Sequence, residues 1–192
     1  MAKLFEALTG RLREFIEAQP VFFVGTAPLD EAGHINVSPK GMAGTFAITG
    51  PRQVAYLDYS GSGAETIAHL RENGRIVFMF CAFDGPPNIV RLHGTGRAVF
   101  TDDPEFARLR AVFPKERTLG QRSIVVADLH RISDSCGYSV PLMEFKEDRD
   151  VLDRHQGRRD PEYFPKKWRD QNAVSLDGLP AVPVDDPYVA DS

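Results

Sequence analysis

The chain contains very few cysteines, and this scarcity excludes two classes of protein. Cys81 and Cys136 are the only two among 192 residues, and they are far apart in the sequence. Two cysteines in a chain of this length do not form the framework of a disulfide-rich secreted domain, and they lack the spacing of zinc ligands. We therefore expect a cytoplasmic protein with reduced thiols and no metal site.

Long apolar runs and an excess of basic residues are also missing. No stretch approaches the roughly 18 apolar residues of a membrane-spanning helix, and residues 1–19 carry charges throughout, unlike a signal peptide. The formal net charge is −4, whereas nucleic-acid-binding proteins usually have a basic balance or a basic stripe. The sequence therefore predicts neither a membrane partner nor a nucleic-acid partner, and no nucleophile motif indicates hydrolase chemistry.

The hydrophobic pattern that is present predicts a mainly β protein of the α+β kind. Apolar residues at three- and four-residue spacing indicate an amphipathic helix over residues 3–18, which Pro20 ends. Runs typical of strands follow at residues 21–27, 34–38, 45–49, 53–59, 75–83, 89–100 and 122–132. Strands and helices do not alternate regularly, so we predict an antiparallel barrel with peripheral helices.

The C-terminal part of the chain differs in character from the rest. Residues 146–160 are dense in charge and typical of a solvated helix face, and residues 161–171 predict a helix around Tyr163, Phe164 and Trp168. The aromatic residues of this helix either pack on their own barrel or cover a neighbouring subunit. We expect one barrel domain over residues 1–145, and a helical extension with an extended, mobile, Pro-rich tail over residues 146–192.

The segment 59–66 has the features of an anion site. Two glycines allow a ligand to approach the backbone, and hydroxyl groups are supplied by Ser60, Ser62 and Thr66. Ser62 and Glu65 form a capping-box pattern, which places the positive end of a helix beside this turn. The pattern indicates either a phosphate cradle or a capped helix that follows a tight turn.

Three other side chains are candidates for contact with a ligand. Lys40 follows a strand and either supplies positive charge to a phosphate or faces solvent in a loop. Arg91 shares one face of a predicted strand with His93, where both either line a site or are solvated. Cys136 lies beside Gly137 and either approaches a cofactor or is a small buried residue.

Taken together and in this order, the segments resemble the pyridoxamine 5′-phosphate oxidase-like family of FMN-binding split β-barrels. The motifs that carry the resemblance are HINVSPKG at 34–41, VAYLDY at 54–59, SGSGAETIAHL at 60–70, RIVFMF at 75–80 and RLHGTGRA at 91–98. The resemblance extends over residues 15–145 and implies a split β-barrel. The turn SGSG lacks the cations of the oxidases proper, and the acidic C-terminal tail lacks their basic segment.

The resemblance also implies a set of cofactor contacts. Carried over residue by residue, the positions that hold the flavin and its phosphate are Ser38, Lys40, Asp58, Tyr59, Ser60, Ser62, Glu65 and Thr66. Members of the family bury the flavin between two subunits. The resemblance therefore implies a homodimer in which residues at Arg91, Arg122 and Cys136 serve the flavin of the other subunit.

For function, the resemblance implies an FMN-dependent oxidoreductase related to the oxidases. It would transfer hydride or electrons through the flavin to a small molecule that the sequence does not identify. The alternative is a non-catalytic carrier or sensor that binds flavin or haem on the same fold. In the haem alternative, the axial ligand would come from His69 or His93.

Overall fold

The computed structural model describes residues 3–184, and its strands form one eight-stranded antiparallel sheet with helices around it. The strands are β1 (Leu4–Phe5), β2 (Phe22–Thr26), β3 (Asn36–Lys40), β4 (Phe46–Gly50), β5 (Gln53–Tyr59), β6 (Arg75–Cys81), β7 (Ile89–Phe100) and β8 (Gln121–Ser135). The helices are α1 (Gly10–Glu17), α2 (Glu65–Glu72), α3 (Phe106–Arg110), α4 (Val151–Gly157) and α5 (Tyr163–Gln171). The end of the predicted mobile tail, residues 185–192, lies outside the described residues.

The sheet curls into a barrel, so that strands from its two ends meet in the core. The strand order is β3-β2-β6-β7-β8-β5-β4, with β1 paired to β8. Phe22 of β2 and Phe46 of β4 lie near opposite ends of this order, yet their ring centroids are 5.0 Å apart. Further aromatic neighbours of Phe22 in this core are Tyr56, Phe78 and Phe80. The predicted mainly β, antiparallel split barrel with peripheral helices is therefore confirmed.

The N-terminal helix is shorter than predicted. Leu4–Phe5 forms a strand that pairs with β8, and α1 begins only at Gly10, whose φ of 53° is left-handed. A right-handed helix does not run through that conformation, so residues 3–9 are not part of α1. The apolar face of the remaining helix is as predicted, because Leu12 and Ile16 are buried in the core.

Helix α2 begins without the predicted capping box. Its N-cap position is Ala64, and within residues 3–184 no side chain caps it. The carboxylate of Glu65 instead accepts a hydrogen bond from the backbone N–H of Leu176, with both oxygens at 3.1 Å. The prediction for the C-terminal end is confirmed, because Gly74 follows α2 with a φ of 72° and donates its N–H to the carbonyl of His69.

The C-terminal extension packs on the barrel of its own chain. Phe164 is buried, and Trp168 packs against a small apolar cluster that includes residues of α2. The aromatic residues of α5 therefore contact their own subunit. The prediction of a solvated face over 146–160 is wrong in part, because Gln156 is buried and Asp153 pairs with Lys115 and Arg117. Among residues 3–184, no helix has the length and apolar character that crossing a membrane requires.

Candidate functional site

A polar cavity of about 290 Å³ lies at the N-terminal end of α2. It is formed where β3 and β5 end, where the glycine turn leads into α2, and where β8 begins. Eight of the eleven predicted site residues line it: Ser38, Lys40, Asp58, Tyr59, Ser62, Glu65, Thr66 and Arg122. The structure therefore brings together, within one chain, residues that are spread over more than 80 positions of the sequence. Arg122, which was predicted to serve the flavin of the other subunit, lies instead at the cavity of its own chain.

A buried ion pair between Asp58 and Arg122 forms part of this cavity. The side chains are 3% and 5% exposed, and the guanidinium donates to both carboxylate oxygens at 2.9 and 3.1 Å. The pairing of β5 with β8 produces this contact, because it places Asp58 opposite Ser123. Arg122 also donates to the carbonyl of Gly63 and to Oδ1 of Asn172, both at 2.9 Å. This one guanidinium therefore connects a strand, the glycine turn and the C-terminal extension.

Lys40 is the second cation of the cavity. Its Nζ lies 4.0 Å from Oδ1 of Asp58 and 5.4 Å from the centroid of the Tyr56 ring. Because Arg122 already binds both oxygens of Asp58, the ammonium group of Lys40 keeps most of its capacity to bind a ligand anion. Burial, followed by the charge of Asp58, raises the pKa of Tyr56, so this phenol beside Lys40 is neutral.

A chain of hydrogen bonds leads from the barrel core to the cavity. Nδ2 of Asn36 donates to the hydroxyl oxygens of Thr26 and Thr66, both at 3.0 Å. Ser38 donates to Oδ1 of Asn36 at 3.0 Å, and Nδ1 of His69 lies 2.9 Å from the hydroxyl of Thr26. Because the Thr66 oxygen accepts from Asn36, its own proton has two candidate acceptors, the phenol oxygen of Tyr56 and a ligand in the cavity.

His69 ends this chain inside the protein. It is fully buried, and burial lowers the pKa of its imidazole, so the ring is neutral near pH 7. Its Nδ1 either accepts the hydroxyl proton of Thr26 or donates to the Thr26 oxygen, depending on which ring nitrogen carries the proton, and in both cases it links Thr26 to α2. His69 was predicted only as an axial ligand in the haem alternative.

Ser60 does not line the cavity. It is 3% exposed, and its N–H donates to the carbonyl of Gly120 at 2.7 Å. Its hydroxyl oxygen accepts from Nε1 of Trp168 at 3.2 Å, and its carbonyl accepts from Nε2 of Gln156 at 2.7 Å. All of these partners lie in the protein, so the role of Ser60 is to hold the glycine turn in place and not to contact a ligand.

The C-terminal segment also covers the start of α2. Besides the bond between Leu176 and Glu65, the carboxylate of Asp177 accepts from the backbone N–H of His34 at 2.8 Å and from its ring at 2.6 Å. These hydrogen bonds from His34 lower the pKa of Asp177. The C-terminal extension therefore connects the loop before β3 with the start of α2, where the cavity lies.

Arg91 and Cys136 lie away from the cavity but next to each other in the barrel. Arg91 donates to the hydroxyl of Ser135 at 2.9 Å, and the following residue, Cys136, is exposed. Arg91 precedes Phe100 by nine residues along β7, and Phe100 pairs with Ser123 beside the cavity. That separation is on the order of 30 Å of extended strand. Cys136 is thus not the small buried residue of the alternative interpretation.

A second, larger cavity adjoins the polar one. It has a volume of about 820 Å³ and is lined mainly by apolar side chains. The two cavities share Pro39, Lys40 and Tyr59. Across residues 3–184, no group of three or more His, Cys, Asp or Glu side chains has an arrangement that could hold a metal ion.

The sequence reasoning missed several residues that build the site, and they fall into two groups. Asn36 lies within the HINVSPKG motif and at one end of a strand, so the motif could have identified it as a site residue. Gln156, Trp168 and Asn172 had no such signal, because their partners Ser60 and Arg122 are 50 or more positions away.

The fold and these motifs place the chain in a known family. The family model described as pyridoxamine 5′-phosphate oxidase matches residues 8–136, more than half of the chain. The chain belongs to this family, and the resemblance inferred from the motifs is confirmed. It is 38% identical over 196 aligned residues to the pyridoxamine 5′-phosphate oxidase family protein ustO of Aspergillus flavus, with 95% of this chain and 78% of that protein covered.

Solved structures of lower sequence identity share the fold. A variant of HupZ from Group A Streptococcus has a TM-score of 0.54 and 18% identity, covering 67% of this chain and 99% of that one. A protein from Bacteroides thetaiotaomicron described as a 5-nitroimidazole antibiotic resistance protein has a TM-score of 0.50 and 13% identity, covering 70% and 86%. At these identities the likeness shows the fold alone.

Proposed function

We propose that the chain is an FMN-dependent oxidoreductase whose polar cavity binds the phosphate end of the cofactor. The observation that carries the proposal is the start of α2: residues 61–67 line the cavity, and no side chain within residues 3–184 caps the helix. The first N–H groups of a helix lack intrahelical partners and attract anions. Lys40 and the hydroxyl groups of Ser62 and Thr66 lie at the same cavity.

The two carboxylates of the cavity are compatible with a phosphate because other groups already bind them. Asp58 is held by Arg122, and Glu65 accepts from the N–H of Leu176. The donors that a phosphate requires then come from the Lys40 ammonium group, the Thr66 hydroxyl group and the backbone N–H groups at the N-terminal end of α2.

When bound, FMN supplies hydride or electron transfer through its N5 atom. The chain's own residues position the cofactor: the start of α2 and Lys40 hold the phosphate, and Asn36 orients Thr66 toward it. We place the flavin ring at the edge that the two cavities share, where Pro39, Lys40 and Tyr59 lie. This arrangement needs no acid or base from the protein.

We also propose that the protein is a cytoplasmic homodimer, with Arg91 and Cys136 serving the cofactor of the other subunit. Both residues lie at the end of the strands remote from their own polar cavity. Within one chain they are too far away to contact a phosphate bound there, so contact with a cofactor requires a second chain.

The haem alternative has less support from the site. His69 and His93 line neither the polar nor the apolar cavity. Nδ1 of His69 is bonded to Thr26, and burial lowers the pKa of both imidazoles. A non-catalytic flavin carrier is the alternative that experiment must separate from an enzyme.

The proposal is tested by titrating the full-length protein with FMN, followed by NADH or NADPH and an electron acceptor. We expect a bound flavin spectrum, reduction, and reoxidation by the acceptor. Lys40→Ala should weaken FMN binding about tenfold, the equivalent of one charged hydrogen bond. Lys166→Ala is the control, because Lys166 pairs with Asp170 on an exposed face of α5. Bound FMN that no donor reduces would indicate a carrier, and absence of FMN binding would overturn the proposal.

A further inference from the structure

We infer that the larger cavity is the substrate site and that it binds an uncharged, mainly apolar organic molecule. The inference rests on the proposed function, because it names the substrate class of that oxidoreductase. The volume of about 820 Å³ lies within the range of sites that hold drug-sized molecules. The shared wall at Pro39, Lys40 and Tyr59 would place such a molecule beside the flavin ring.

The cavity lies between the barrel and the C-terminal extension. Its barrel side is formed by residues 20–21, the end of β3 with the residues that follow it (39–42 and 45), and Tyr56, Leu57 and Tyr59 of β5. Its outer side is formed by Phe145 and by residues between 147 and 155, which include the start of α4. The outer wall thus belongs to a segment that follows the region matched by the family model, residues 8–136.

Polar contacts hold this outer wall in place. Asp148 accepts from the backbone N–H of Ala43 at 2.9 Å. Asp153 pairs with Lys115 and Arg117, and Gln156 donates to the carbonyl of Ser60. The wall is therefore anchored at three points and is not simply collapsed onto the barrel. Contacts of this kind restrict the motion of the wall, which lowers the entropic cost of binding a ligand against it.

Apolar side chains on the anchored wall are left exposed. Phe145 and Val151 are 58% and 55% exposed, although both line the cavity. Leu152 and Leu57 line the same cavity, and together these apolar side chains are a favourable contact for an apolar ligand. Burial of this apolar surface by the ligand would contribute favourably to the free energy of binding.

The charges on the lining indicate that the ligand is uncharged. With His155 counted as neutral, as in the formal net charge, Lys40 and Arg149 are balanced in number by Glu147 and Asp148. Asp148 is bonded to Ala43, and Lys40 lies near Asp58 and the proposed phosphate site. The lining therefore carries no excess charge with which to select a carboxylate, a phosphate or an amine.

The test uses Nile red, a neutral apolar dye, with the full-length protein in the absence and presence of saturating FMN. We expect saturable binding at one site per chain in both conditions. Leu152→Arg, and separately Val151→Arg at a position that is already exposed, should each weaken dye binding roughly tenfold or more, because a charge enters an apolar site. Val112→Arg is the matched control, because Val112 is 49% exposed and lines neither cavity.

Three results would overturn the inference. Dye binding that none of the cavity variants weakens would place the dye elsewhere, and displacement of the dye by FMN would assign the cavity to the cofactor. If the dye does not bind and the protein is a dimer that buries the cavity, the cavity is part of a subunit interface. Dye binding that the variants weaken, in a protein that does not bind FMN, would support the apolar site and overturn only the proposed function.

Discussion

Replacement of Arg122 by Met tests how strongly the buried ion pair holds the site together. Arg122→Met keeps a side chain of similar length but removes four hydrogen bonds, two to Asp58 and one each to Gly63 and Asn172. The carboxylate of Asp58, 3% exposed, would keep Lys40 as a cationic neighbour at 4.0 Å. An uncompensated charge of this kind is costly in a protein interior.

The expected cost follows from the burial of the pair. Removing one partner of a buried ion pair destabilises a protein by about 3–5 kcal/mol, which is a large share of a typical stability of about 5–15 kcal/mol. For a urea m-value of about 2 kcal/mol/M, the unfolding midpoint should fall by about 2 M. The same change should weaken FMN binding, because Arg122 holds the turn at Gly63.

The assay is urea unfolding followed by circular dichroism, with Arg97→Met as the control. Arg97 also pairs with a carboxylate, that of Glu105, but its side chain is 49% exposed. Surface pairs of this kind contribute less than about 1 kcal/mol. If both variants lose the same small amount of stability, the buried pair does not hold the site in the way described.

Two further predictions concern the hydrogen-bond chain. Thr66→Val should weaken FMN binding about tenfold and leave riboflavin binding unchanged, because the hydroxyl group lies at the proposed phosphate site; equal losses for both ligands, measured by fluorescence titration, would count against this role. The stability of the folded protein should fall as pH decreases below 6.5, because the lowered pKa of buried His69 means that the unfolded state binds the proton first. His69→Asn should reduce this dependence in urea midpoints measured between about pH 5 and pH 8, with His93, whose pKa burial also lowers, accounting for the remainder. An unchanged slope would contradict the assignment.

Much of the polar cavity could be predicted because its residues belong to short motifs, some with the features of an anion site and others, such as that of Asp58, recognised through the resemblance to the family. Lys40 ends one strand, Asp58 lies near the end of another, and Thr66 lies in the first turn of the helix that follows. Strand ends and turn chemistry are visible in a sequence as changes in hydrophobic period and as glycines. The same is true of Gly74, whose left-handed φ ends α2 as predicted.

The errors have a common physical cause, which is competition from distant parts of the chain. The Ser62–Glu65 capping box does not form because the N–H of Leu176 binds the carboxylate of Glu65. The predicted helix loses its first residues because Leu4 pairs with Ser133 in the sheet. Neither partner is visible in a local pattern, since both lie more than 100 residues away.

The most direct measurement of the central claim is a comparison of FMN and riboflavin binding to the unmodified full-length protein by flavin fluorescence. The two ligands share the ring and the ribityl chain and differ in the phosphate. The account predicts that FMN binds at least about tenfold more tightly, because the end of α2, Lys40 and Thr66 act on the phosphate alone. Equal affinity for both ligands, or no binding of either, would contradict it.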